Sequence, residues 1–565
     1  MLEVFIYEKE FYINKNGIKL ELPSKIYKND IETEIRDFLL KIENQIVLGI
    51  KINEMYLYDN IELYNFCRGS IYDKLKELLN KYILIESLLD YFDEEIEINT
   101  DDLVYKYLAE KVFLIKCNFE CSKSNSQKSI NFKFKNISRI IRGFKYILKI
   151  KLKNKEKTLF LTQANSINSI SINKDMISYD SQFGGVLEKF RKDKKSFVIQ
   201  YLNNDSLLDK SLNLGNDFLP FENFILMKKF IYKLNMKSSK INNRLMYLQD
   251  INFYFHNKNL YEFINEFLLK DLEHIMNSYL HEIYAAEKLI KFMNINKVVA
   301  IDEADRIRCF IYAANRNSIP TFAIQHGIIT LGSSAYFIPT EDCAYIPKKT
   351  FLWGEKFKKT LIDNTRIYNN KNIEVVGQIR TDYLFNKLKY NNEIYKSDEI
   401  KILYATQSIK DLTYEATEIL FESLKELKSK YSLVIKLHPN DNYEDIYKDL
   451  INKYNIENVE ITRSIDIYDA IIWSDVVISV HSTVNLEASI LNKPSICILL
   501  NKYWDEGDFV KENISLGAKN KEELTKFLGN LDTYKLDNEM IINSYFYKID
   551  GLVSNRIINS INDLN

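Results

Sequence analysis

Short apolar runs closed by polar residues, each followed by a stretch of helical spacing, recur through the second half of the chain. Val298 to Ile301, Thr321 to Ile324, Thr350 to Trp353, Ile373 to Val376, Ile402 to Tyr404, Leu433 to Leu437, Val476 to Ile478 and Ser495 to Leu499 read as strands. Arg306 to Asn315, Thr413 to Lys430, Tyr443 to Tyr454 and Val484 to Leu491 read as the helices between them. Strands that are apolar throughout, and separated by helices, are buried on both faces of a parallel, doubly wound sheet. The first half is less regular. Val4 to Tyr7, Gln45 to Ile50, Met55 to Tyr58, Thr158 to Leu161 and Phe197 to Tyr201 read as strands. Ile71 to Leu89, Leu103 to Lys116 and a long stretch from Phe221 to Met293 read as helical.

A chain of 565 residues exceeds what one core encloses, so several domains are expected. The pattern divides it into an α/β extension at 1–120, or the start of the first Rossmann-like domain, and a basic amphipathic linker at 121–157. A first Rossmann-like domain at 158–348 and a second at 349–565 follow. The expected class is therefore α/β, two doubly wound domains facing across a cleft.

Charge changes this picture in one place. The net charge of −1 gives no global field to recruit nucleic acid. Residues 122–160, however, hold ten Lys and two Arg against Glu156 alone. Within 134–152, Ile137, Ile140, Ile141, Phe144, Ile147 and Leu148 recur at helical spacing, with Arg139, Arg142, Lys145 and Lys149 between them. Two readings stand: a basic helix lying in the headgroups of an anionic membrane, or a linker helix packed on its own domain. The six cysteines are scattered with no CxxC pair, which predicts reduced thiols and no zinc site. No cofactor or metal is expected. The start of the chain lacks the basic and apolar regions of a signal peptide, and no apolar run reaches the ~18 residues of a membrane span. The expected location is cytoplasmic, with peripheral contact at the inner membrane face if the basic helix lies in headgroups.

Candidate chemistry lies at the strand ends, where open α/β sheets hold ligands. Ser482 and Thr483 follow Val476 to Val480 and open a helix, whose first-turn N–H groups suit a phosphate. His481 precedes them, and Glu487 is placed to bond a ribose diol or to complement the helix dipole. His438 can donate to, or protonate, a leaving phosphate, and Lys436 shares its strand. Thr406 and Gln407 end another strand, and Arg380 is placed to meet a phosphate or a carboxylated sugar, or to pair with Asp382. In the first domain Gln325-His326-Gly327 offers a neutral imidazole as base, beside a glycine that lets backbone approach a ligand. Asp302, in Asp302-Glu303-Ala304-Asp305, likewise lies at the carboxyl end of a strand, where it can also cap the next helix. That run resembles a helicase motif, but the chain has no phosphate-binding Gly-x-x-x-x-Gly-Lys-Ser/Thr loop.

The order of these motifs, above all His481-Ser482-Thr483-Val484-Asn485-Leu486-Glu487-Ala488 with Lys493-Pro494, resembles the GT-B transferases of bacterial surface polysaccharides. It is similar to the capsular polysialyl- and Kdo-transferase and CDP-glycerol glycerophosphotransferase superfamily. The resemblance implies His438 at the donor phosphate and either His326 or Asp302 as the base. It also implies a CMP-, CDP- or UDP-linked donor and a glycan or lipid-linked acceptor. Glycosyl transfer without a metal is the expected reaction. Glycerophosphate transfer is the alternative, and a sugar-nucleotide 2-epimerase or a scaffold that has kept the fold are more distant ones.

Overall fold

A computed structural model of the chain describes residues 2–563 other than 8–10, 21–30, 48, 121–133, 154, 164–166, 173–174, 202–216, 236–250, 389–398, 501–502, 504, 506 and 536. Two large sheets dominate, and every strand pairing in them is parallel. The first runs Phe218–Leu219, Phe197–Tyr201, Lys157–Thr162, Ile295–Ile301, Thr321–Ile324, Lys349–Leu352 and Ile373–Val375. The second runs Val459–Thr462, Tyr431–Lys436, Ile400–Ala405, Val476–Ser479, Ser495–Ile498 and Leu516–Ala518. Numbered along the chain, both follow the Rossmann order 3-2-1-4-5-6, and the first adds a seventh strand. With right-handed crossovers, the reversal after strand 1 sends helices to opposite faces. It also opens a crevice beyond the carboxyl ends of strands 1 and 4 in each sheet. The fold is α/β, two doubly wound domains on the GT-B plan.

The expected boundary at 348/349 does not hold. Lys349–Leu352 pairs with Thr321–Ile324, and Ile373–Val375 pairs with Lys349–Leu352, so both strands complete the first sheet. An apolar run reads the same in either sheet, which is why its local pattern misassigned them. The last helix, Val553–Asp563, also returns to the first domain. Arg556 Nε donates to Val376 O (2.8 Å), Lys297 Nζ to Ile561 O (2.9 Å) and Ser560 Oγ to Glu374 Oε2 (2.8 Å).

The first 120 residues form a sheet of their own, in the order Ile18–Leu20, Phe11–Lys15, Leu2–Ile6, Ile96–Thr100, Lys116–Phe119. The helix Tyr64–Tyr91 nevertheless shares a hydrophobic core with the first large domain. Its buried Arg68 pairs with Glu43 (2.7 Å) and donates to Ser334 O (2.7 Å). Arg308, buried in the first domain, reaches back to Asn65 O (3.0 Å). This extension therefore braces the loop that follows His326.

Three local expectations change. Gln45 to Ile50 is a pair of two-residue strands, Ile46–Val47 and Ile50–Lys51, and Met55 to Tyr58 spans the end of a short helix and a two-residue strand. Leu103 to Lys116 ends as a helix at Phe113 and gives way to the strand Lys116–Phe119. The stretch from Phe221 to Met293 is broken by a hairpin, Tyr254–Phe255 with Lys258–Asn259. His256 and Asn257 turn it with φ of +43° and +65°, the left-handed pair that a two-residue hairpin needs.

Candidate active site

In the first domain the switch point lies between the ends of Lys157–Thr162 and Ile295–Ile301. Asp302 follows the latter with φ +65°, a left-handed conformation that Asp tolerates better than most residues. Its N–H donates to Ile324 O (2.8 Å), and its Oδ1 accepts from Glu303 N–H (2.7 Å). Thr162 Oγ1 donates to Asp180 Oδ2 (3.2 Å), whose other oxygen receives the N–H groups of Gln182 and Phe183. Asp180 has no motif around it, and sequence reasoning missed it.

His326 stands beyond Thr321–Ile324. Its side chain is open to the cleft, but the protein around it makes charge costly, which holds the imidazole pKa below the usual histidine value. Asp302 opposes that shift, Arg380 reinforces it, and Asp180 opposes it more weakly. The result is a ring held toward its neutral form, within electrostatic reach of Asp302 and Asp180. Gly327 has φ +83°, with open space where a side chain would begin, so a ligand can reach its backbone. Gln325, expected to bind substrate, is instead committed within the protein. Its Nε2 donates to Gly327 O (2.8 Å), and its Oε1 and main-chain oxygen accept from Trp353 N (2.9 Å) and Nε1 (3.0 Å).

Directly behind Asp302, the fully buried Glu303 accepts hydrogen bonds from Thr350 Oγ1 (2.6 Å) and the Tyr368 hydroxyl. Burial raises its pKa to about 7, against the pull of those two hydroxyls and of Arg308. A carboxyl with a raised folded-state pKa favours the fold fully below its unfolded value, and that contribution fades as pH rises through the folded one. Moving a carboxyl from 4.5 to about 7 corresponds to about 3 kcal/mol. Glu303→Gln should therefore gain on the wild type by about this amount between about pH 4 and pH 8 in denaturant titrations. Parallel pH profiles would refute it.

In the second domain the switch point lies between Ile400–Ala405 and Val476–Ser479. Thr406 Oγ1 donates to the buried Asp441 Oδ2 (2.5 Å) and accepts from His438 N–H (3.0 Å). Tyr447 also donates to Asp441 (2.9 Å). Arg463 closes the turn, donating to His438 O (2.9 Å) and Asp441 O (2.6 Å). Neither Asp441 nor Arg463 was expected, although an acid three residues after His438 is a turn signal. His438 is exposed. Its Nδ1 accepts from Asn440 N–H (3.2 Å), so in the neutral ring Nε2 carries the proton. Burial of its surroundings lowers its pKa, Asp441 raises it, and Lys436 and Arg463 lower it. Lys436 Nζ donates to Leu437 O (3.2 Å) and Arg463 O (3.1 Å).

Ser482 caps the helix Thr483–Ile490, its side chain accepting from Val484 N–H (3.3 Å). Thr483 begins that helix and is half-buried. Gln407 Oε1 accepts from His481 N–H (3.4 Å), and the His481 ring lies 6.0 Å from that of Tyr503. Thr406 and Gln407 thus fix the loop backbones, while His438 and the helix N-terminus face the crevice.

Arg380 joins the two halves. It opens the helix Arg380–Leu388 after the last strand of the first sheet and pairs with Glu487 (3.0 and 3.2 Å). Its charge lowers the pKa of both His326 and Lys436, one in each domain. Asp382, the partner weighed for it, instead accepts from the N–H groups of Val553 and Ser554. Glu487 lies in the second turn of its helix, not the first, and is fully buried under Arg380 and Gln378 Nε2 (3.2 Å). In this arrangement it is closed off from a ribose.

No family model matches the chain. Over 452 residues it is 24% identical to an uncharacterised protein of Methanocaldococcus jannaschii, covering 76% of this chain and 71% of the relative. Over 124 residues it is 29% identical to the teichoic acid glycerol-phosphate primase of Bacillus subtilis, covering 21% of this chain and 31% of the relative. Among solved structures it is similar to UDP-GlcNAc 2-epimerase from Neisseria meningitidis bound to UDP-GlcNAc. That likeness has a TM-score of 0.47 and 15% identity, over 72% of this chain and 100% of the other. It is also similar to MurG from Acinetobacter baumannii, with a TM-score of 0.40 and 8% identity, over 72% and 100% of the two chains.

Proposed function

We propose that the chain is a glycosyltransferase that moves a sugar from a nucleotide-activated donor to a hydroxyl of a glycan or lipid-linked acceptor in surface-polysaccharide assembly. The observation that carries the reading is the chemical polarity of the cleft. Its first-domain side presents Asp180, Asp302 and a neutral His326. Its second-domain side presents Lys436, Arg463, the Nε2–H of His438 and the N-terminus of Thr483–Ile490. The donor diphosphate belongs on the second side, where helix N–H groups and cations offset its charge. The acceptor belongs on the first. His326 takes the acceptor proton, and the oxygen attacks the anomeric carbon. The bond from that carbon to the phosphate oxygen breaks, and the nucleotide leaves with its negative charge held by the second domain.

One observation favours a second reading. The partial likeness to a teichoic acid glycerol-phosphate primase supports attack at phosphorus, with a CDP-linked polyol as donor. Release of CMP from CDP-glycerol distinguishes this from turnover of a sugar donor. An epimerase on the same scaffold would convert its sugar nucleotide with no acceptor present.

The donor site is tested by thermal melting of the purified protein with CMP, CDP, UMP, UDP and GDP. A nucleotide present at 100 times its dissociation constant adds about 2.7 kcal/mol to the folded state. One base should raise the melting temperature, and both His438→Ala and Ser482→Ala should abolish the shift. No shift at millimolar nucleotide would remove the donor site and with it the transferase reading.

A further inference from the structure

The basic helix Phe134–Lys151 carries two apolar stripes rather than one. The inner stripe packs on the domain. Gly143 is so close to the next helix that a Cβ there would lie 2.1 Å from Asn223 Oδ1. Asn223 Nδ2 donates to Ile140 O (3.0 Å), the Tyr146 ring lies 5.2 Å from that of Phe218, and Ile150 is fully buried. The outer stripe is Ile141, Phe144, Leu148 and Leu152, exposed by 54%, 50%, 54% and 81%. These positions fall on one helical face, and Lys145 and Lys149 flank them, also exposed. The helix holds six Lys or Arg and no acidic residue.

We propose that this outer face docks on the surface of an anionic bilayer. An aromatic and three large aliphatic side chains exposed in a row mark an interaction surface. The one-signed charge beside them selects the occupant: apolar groups enter the acyl boundary while lysines meet anionic headgroups. A second copy of the chain would bring the same cations against each other. Among the described residues no helix is long and apolar enough to cross a membrane, so the contact is peripheral.

The position of the face gives it a purpose. Gly143 packs on Pro220 and Asn223, which directly follow the carboxyl end of Phe218–Leu219 in the all-parallel first sheet. The helix therefore passes the sheet edge that carries Thr162, Asp302 and His326 near Gly143, and its later turns run back along Phe218–Leu219 toward Asp217, with which Lys153 pairs. A bilayer there presents a lipid-borne hydroxyl to the rim of the cleft. This last step rests on the transferase reading, whereas docking itself does not.

The test is co-sedimentation of the full chain with vesicles of phosphatidylcholine alone or with phosphatidylglycerol. Binding should require phosphatidylglycerol and weaken as salt screens the charge. It should fall at least tenfold in Phe144→Ser/Leu148→Ser and in Lys145→Glu/Lys149→Glu. Both variants change exposed residues, so their circular dichroism and nucleotide-induced melting shift should match the wild type. A failed nucleotide shift beside intact vesicle binding would count against the transferase reading and leave docking standing. Equal binding to both vesicles, no binding, or unchanged binding by either variant would overturn docking. So would a dimer in size-exclusion chromatography that Phe144→Ser/Leu148→Ser dissociates.

Discussion

His326→Ala is expected to lower turnover of the nucleotide-activated donor by about 10²- to 10⁴-fold, the usual contribution of a positioned general base, while the nucleotide-induced melting shift stays as in the wild type. The ring must be unprotonated to accept the acceptor proton. The protein around it disfavours its charge and holds its pKa below the ordinary 6.5, so the neutral ring predominates at pH 7. The rate should therefore rise with pH along an acid limb below that value and be flat above it. Asp302 raises the His326 pKa, so in the proposed reaction it would favour the imidazolium formed as the acceptor oxygen attacks. Asp302→Asn removes that anion, so it should slow the reaction less than His326→Ala and move the acid limb to still lower pH. The rival assignment predicts the reverse. If Asp302 is the base, its amide variant loses nearly all activity and the histidine variant keeps most. Side-by-side pH–rate profiles of the two variants decide the matter.

The strand ends were legible in the sequence for a physical reason. A strand buried on both faces must be apolar throughout, and the first polar residues after it mark where the chain leaves the core. His326, His438 and Ser482 were found in this way. Such a pattern does not say which sheet a strand joins. Lys349–Leu352 and Ile373–Val375 were misplaced because their partners, Thr321–Ile324 for the first and Lys349–Leu352 for the second, are specified only by packing. The return of Val553–Asp563 to the first domain is likewise a long-range contact with no local mark.

The side chains that hold the site in place were mostly invisible. Arg463 lies 25 residues beyond the His438 it braces. Asp180 sits in a two-stranded hairpin between the first two strands of its sheet. Gln325, by contrast, was visible but misread: the sequence shows a polar amide at a strand end, not that Trp353 N–H and Gly327 O occupy its two ends. The amphipathic helix was read as one apolar face because Ile147 and Leu148 are adjacent in sequence, although one packs against the core and the other is exposed.

The pairing of Arg380 with Glu487 carries the second large effect. Arg380→Met leaves a fully buried carboxylate with the amide of Gln378 and the like charge of Asp466 acting on it, and breaking a buried pair from one side costs about 3–5 kcal/mol. Burial already raises the pKa of Glu487, with Arg380 pulling it back down. Once Arg380 is gone the carboxyl takes up a proton more readily. Its neutral form is then favoured at low pH, and the loss of stability should deepen as pH rises past the ordinary carboxylate range. Glu487→Met should cost less, because the Arg380 side chain is 28% exposed and water can reach the stranded guanidinium. The double variant should recover most of the stability, since two apolar side chains replace two charges together. Denaturant titration of all four proteins measures the coupling. A double variant as unstable as Arg380→Met would mean that shape, not charge, holds the domains together. A double variant that regains its stability but not its nucleotide-induced melting shift would mean that the pair serves the donor site as well as the fold.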